Sequence, residues 1–143
     1  MLKWDVRGDR LESISTPRWF SEPAFRSGRS SCELVFKADS ERWSVQVPER
    51  KRGRALAIRD VLYAIDEELW NKADSHTFYE GHPRLEKANK ERSYRHLGAQ
   101  DGYSNTLRNV DFFPENGSDF VGLKEDVGRP GAFLVVIGSA LSH

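Results

Sequence analysis

A change of hydrophobic period constrains this chain more than any other feature. The apolar-centred residues 33–37 and the alternating residues 43–47 flank the mostly polar run 38–42, the pattern of two antiparallel strands joined by a turn. Leu34 and Phe36 share one face, as do Trp43, Val45 and Val47 on the second strand, and Pro48 ends the ladder. After the basic connector 49–54 the period becomes helical. Ile58, Val61, Leu62, Ile65 and Leu69 fall on one stripe, which predicts an amphipathic helix over 58–72. Burying such a stripe supplies roughly 7–15 kcal/mol before entropy is charged. Ala57 is a poor N-cap, so packing rather than capping must set the start of that helix. A hairpin with one apolar face and a helix with one apolar stripe cover each other, giving an α+β fold.

The remaining elements are built around that core. Residues 1–31 read as an irregular, aromatic-rich arm holding Trp19, Phe20 and Phe25. Leaving these rings wet would forfeit about 1.5–3 kcal/mol each, so the arm should pack on the domain. Pro83 and Gly98 sit where an N1 proline and a C′ glycine belong, which predicts a second, surface helix over 83–97. Residues 107–113 read as a strand ending at Pro114, and 120–123 as a shorter extended segment. The unbroken apolar run 132–137 reads as a central strand buried on both faces. The sum is a small, mostly antiparallel sheet in a single domain over 1–143.

Bulk composition excludes more than it selects. Twenty-two basic side chains balance 22 acidic ones, so no global field favours nucleic acid or an anionic membrane. The longest apolar run spans six residues against the ~20 a membrane helix needs, and the N-terminus carries no secretory signal pattern. One cysteine, Cys32, rules out an intramolecular disulfide. A cytoplasmic or nuclear protein is the expectation, with no membrane partner and no cofactor.

Several short motifs carry a resemblance. Trp4 and Asp5 stand near the start, Trp43 lies in the hairpin, and Ala57, Ile58, Arg59, Asp60, Val61 and Leu62 open the helix. Val110, Asp111 and Phe112, then Phe120, Val121, Gly122 and Leu123, complete the set. In this order they resemble an uncharacterised domain family of mushroom-forming (basidiomycete) fungi. The resemblance implies a fungal source and a fold; it implies no chemistry.

Candidate chemistry is thin. Arg50, Lys51, Arg52 and Arg54 would grip phosphates or act as a nuclear-import signal, yet no aromatic interleaves them, so a solvated connector is the plainer reading. His82, with Glu80 and Arg84 beside it, would serve as a general base, but equally as a residue capping the next helix. Asp111 within an apolar stretch is either catalytic, bound to Arg108 or a backbone amide, or turned to solvent. Cys32 reads as core filling rather than a nucleophile. No histidine spacing matches a metal site, and no phosphate-binding glycine loop or Gly-x-Ser-x-Gly elbow occurs.

Aromatics make up 11% of the chain, and rings such as Trp19 and Phe20 fall where they would anchor a partner or close the core. The function these features favour is a non-catalytic module binding a protein or itself through an aromatic surface or a sheet edge. Two alternatives stand beside it: a small-molecule enzyme using His82, Glu80 and Asp111, and phosphate or nucleic-acid binding through 50–54.

Overall fold

β1 (Cys32–Ala38) and β2 (Glu41–Val47) form the expected hairpin, in register from Cys32 opposite Val47 to Ala38 opposite Glu41. Both strands run further than the alternation implied. The computed structural model describes residues 2–8, 10–38, 41–71, 108–113 and 117–138. Beyond the hairpin it contains α1 (Ile58–Trp70), β3 (Asp119–Glu125) and β4 (Ala132–Gly138). The second helix expected over 83–97 lies outside the described residues. The chain divides into two compact units, Met1–Glu68 with Phe113–His143, and Leu69–Phe112.

The four strands make one sheet in the order β2-β1-β4-β3. Two of its pairings are antiparallel hairpins, whereas β1 and β4 run parallel, with Leu34 beside Phe133 and Val35 beside Leu134. β4 is therefore central, as its apolarity suggested. Its burial is less complete than expected: Ala132 and Val135 are buried and the other residues only partly so. Val121 is an extra residue in β3, inserted between the pairs Phe120–Ile137 and Gly122–Val136, and it points to solvent.

Register assigns the two faces. Leu34, Phe36, Trp43, Val45, Val47, Phe133 and Val135 share one face, on which the directly opposed Phe36 and Trp43 rings stack at 5.4 Å. Glu33, Val35, Lys37, Arg42, Ser44, Gln46 and Lys124 share the other. The stripe of α1 matches the apolar face in character: Val61, Leu62, Ile65 and Leu69 are all buried, while Tyr63 on the opposite side is exposed. Within the first unit, Val61, Leu62 and Ile65 of the stripe and Leu34, Phe36, Val47 and Val135 of the apolar sheet face are all buried.

The start of α1 is set by packing, aided by one carboxylate. The arm runs antiparallel to the residues that lead into the helix, with Ala24 N donating to Leu56 O at 2.8 Å and Ile58 N to Glu22 O at 2.9 Å. Asp60 reaches back three residues to accept from Ala57 N at 2.8 Å, the N3 half of a capping box. Further along α1, Asp66 is 3% exposed and accepts from Arg10 Nε at 3.0 Å and Leu11 N at 3.3 Å, fastening the arm to the helix. At the other side of the sheet, Trp4 O accepts from Phe120 N and Val6 N donates to Ser118 O, so the first residues meet the start of β3.

The 107–113 expectation is corrected. Asn109–Phe112 is a 3-10 turn, not a strand. Asp111 explains why: its carboxylate accepts from the Arg108 backbone N–H at 2.8 Å, closing a local turn that competes with a ladder. Val110, Asp111, Phe112 and Phe113 are buried in succession, which period-2 geometry does not allow in a one-sided strand.

The Asp66 clamp predicts a specific stability pattern. Arg10→Ala leaves a buried carboxylate with one backbone donor and lowers the unfolding free energy by about 2–3 kcal/mol. Adding Asp66→Leu removes the stranded charge and restores much of that loss. Urea titrations of the single and double variants measure both effects, and equal stability of wild type and Arg10→Ala would contradict the clamp.

Candidate functional site

A polar notch opens where β1 begins, β2 ends and the β3–β4 loop turns back. It encloses about 250 Å³ and is lined by Arg29, Ser31, Cys32, Glu33, Gln46 and residues 129–132. Register builds it: Glu33 pairs with Gln46 on one side and Ala132 on the other, so three strands deliver their ends to one place. Glu33 is the hub. Its carboxylate forms an ion pair with Arg129 Nη2 and accepts from Gln46 Nε2 at 3.0 Å. Arg29 is held differently, its guanidinium 5.6 Å over the Phe133 ring, which in turn stacks on Phe25 at 4.6 Å. Gly131 admits that arginine: its φ is +86°, and a Cβ there would stand 2.8 Å from Arg29 Nη1.

The β3–β4 loop also crosses the polar face. β2 and β3 are the outer strands of the sheet, yet Arg42 on β2 reaches Asp126 at the end of β3 at 3.6 Å. With the Arg129–Glu33 pair, this fixes the loop at two points. Beside it lies a second hollow of about 290 Å³, floored by Val35 and Leu134 and rimmed by Lys37, Arg42, Lys124 and Asp126.

Chemically the described lining of the notch is rich in donors: two guanidinium groups, the Gln46 amide and the Ser31 hydroxyl. Burial pushes the Cys32 thiol up to about 11, only partly opposed by the nearby Arg29 charge, so it stays protonated at neutral pH. The arrangement suits holding an anion rather than attacking a bond.

The described residues singled out from sequence belong to different elements. Phe20 is buried, and half-buried Trp19 meets it edge-on at 4.9 Å, so this pair closes the arm on itself instead of presenting two rings. Arg50, Lys51, Arg52 and Arg54 are all exposed on one turn, where Gly53, at φ +74°, donates its N–H to the Glu49 carboxylate. Asp111 is 1% exposed and engaged with the Arg108 amide. Its partners in the acid–base reading, His82 and Glu80, lie outside the described residues. Asp5 accepts from Ser118 Oγ at 2.6 Å and from Arg7 N at 3.1 Å. Sequence reasoning missed Arg29, Glu33, Gln46 and Arg129, because charged residues at strand ends read as solvated until the parallel pairing brings them together.

Among the described residues, no group of His, Cys, Asp and Glu is placed to hold a metal ion. No helix among them is long and apolar enough to cross a membrane. No family model, curated protein or solved structure matches this chain.

Cys32 gives the site a pH signature. An unfolded thiol ionises near 9.0 and the folded one near 11, so alkali stabilises the unfolded chain first. The contribution is complete below pH 9.0 and disappears as the pH climbs through about 11. Unfolding curves of wild type and Cys32→Ala across this window should show wild type losing stability relative to the variant. A constant difference would contradict the buried, protonated thiol.

Proposed function

We infer that this chain is a non-catalytic binding module that takes up an extended segment of a partner protein along the outer edge of β2. One observation carries the reading: among the described residues, the strand order puts β2 at an edge of the sheet, beside β1. The opposite edge is different, since backbone bonds with Trp4 and Val6 and an Asp5–Asp119 bridge engage the start of β3. Strand edges left open invite pairing, and proteins that do not use them tend to block them. β2 carries neither proline nor a bulge.

Its side chains suit an incoming strand. Arg42, Ser44 and Gln46 are exposed on the polar face, and Trp43 and Val45 are half-exposed on the apolar one. An added strand would gain main-chain hydrogen bonds along its length and cross-strand contacts at alternate residues. The acid–base reading draws no comparable support, because the Asp111 carboxylate is engaged by a backbone amide. The buried lone cysteine, which needs no oxidising compartment, is compatible with a cytoplasmic or nuclear setting.

A second reading has one observation in its favour. The turn holding Arg50, Lys51, Arg52 and Arg54 presents all four side chains to solvent, as phosphate contact requires. Oligonucleotide affinity that falls steeply with salt would support it, and salt-independent or absent binding would exclude it.

Selection from a displayed library of linear peptides tests strand addition. Peptides recovered on the purified chain should shift the backbone amide resonances of residues 42–47 and slow their hydrogen exchange. Peptides that bind while leaving those amides unchanged would overturn the reading.

A further inference from the structure

Independently of strand addition, we propose that the notch between Arg29 and Arg129 binds the carboxylate of a small organic acid. Both arginines line one cavity, and each guanidinium has a partner within the protein. Arg29 lies against Phe133 and, among the described residues, pairs with no carboxylate. Arg129 is fixed by Glu33, which also holds the side-chain amide of Gln46. A guanidinium carries five N–H donors in a planar fork, so an arginine engaged on one side still has donors for a second acceptor.

Charge selects the class of ligand. Among the described residues, two arginines and one glutamate give the notch a single positive charge, and the neutral Cys32 thiol does not change it. A carboxylate neutralises that charge. A phosphate dianion would leave a net negative charge beside Glu33, which costs free energy in a partly enclosed site. Volume limits the ligand as well: about 250 Å³ falls below the roughly 300–1,000 Å³ of sites for drug-sized molecules, so the acid is small. Exposed Gln46 and Arg129 keep the notch reachable from solvent.

Titration of the purified full chain with propionate tests the proposal by NMR, following the Arg29 and Arg129 Nε–H signals and the Gln46 side-chain amide. Saturable shifts of these signals in the millimolar range are expected. Arg29→Gln should weaken binding about tenfold or more, since a charge-assisted forked contact is lost. Arg129→Gln tests the second donor should the first variant not fold. A dipeptide with a free C-terminus, compared with its amide, identifies the source of the carboxylate: binding of the free form alone points to a chain terminus, and binding of propionate alone to a free acid. Both outcomes uphold the site. No saturation with any carboxylate, tighter binding of inorganic phosphate, or unchanged affinity in both arginine variants would overturn it.

Discussion

The parallel ladder between β1 and β4 governs this structure. Glu33, Leu34 and Val35 lie beside Ala132, Phe133 and Leu134, residues at the far end of the sequence. Each hairpin forms from neighbours in the chain, but a two-stranded hairpin is marginal alone in water. Joining the two makes a four-stranded sheet with one continuous apolar face. It also fixes which strands are inside and which are outside. β2 becomes an edge, and the β3–β4 loop arrives at the mouth of β1, where Arg129 meets Glu33. Such long-range contacts close large loops before they return any stabilisation, so folding should be limited by this ladder rather than by either hairpin.

Aspartate has a consistent role around that sheet. Asp5 accepts from Arg7 N, Asp60 from Ala57 N, Asp111 from Arg108 N and Asp126 from Gly128 N, each within three residues of itself. Asp66 does the same over a long range, from Leu11 N. A short carboxylate competes well for nearby backbone donors, and it fixes turns that regular structure does not reach. These acids therefore fasten irregular segments. That bears on function, since an aspartate engaged by the backbone is poorly suited to moving protons.

The local elements were legible in the sequence. Alternation along residues 43–47, with Leu34 and Phe36 two apart on the first strand, identified the hairpin's apolar face, and the 3.6-residue stripe identified the first residue of α1. Unbroken apolarity identified β4 as central. The 107–113 segment misled because Leu107, Val110, Phe112 and Phe113 are apolar enough for a strand, while the deciding interaction is the hydrogen bond made by Asp111. The notch was not legible. Arg29, Glu33, Gln46 and Arg129 are ordinary polar residues in sequence, and only the parallel register brings their ends together. Nothing in alternation or periodicity distinguishes parallel from antiparallel pairing for a short strand buried between two others.

Backbone proximity across the central pair tests this architecture most directly. Inter-strand nuclear Overhauser effects should connect residues 33–35 with 132–134 in the staggered pattern of parallel strands, with none joining β2 to β4. Effects linking residues 42–47 to 132–138, or an antiparallel pattern between β1 and β4, would place a different strand at the edge. The notch and the open edge would then both be lost from the account.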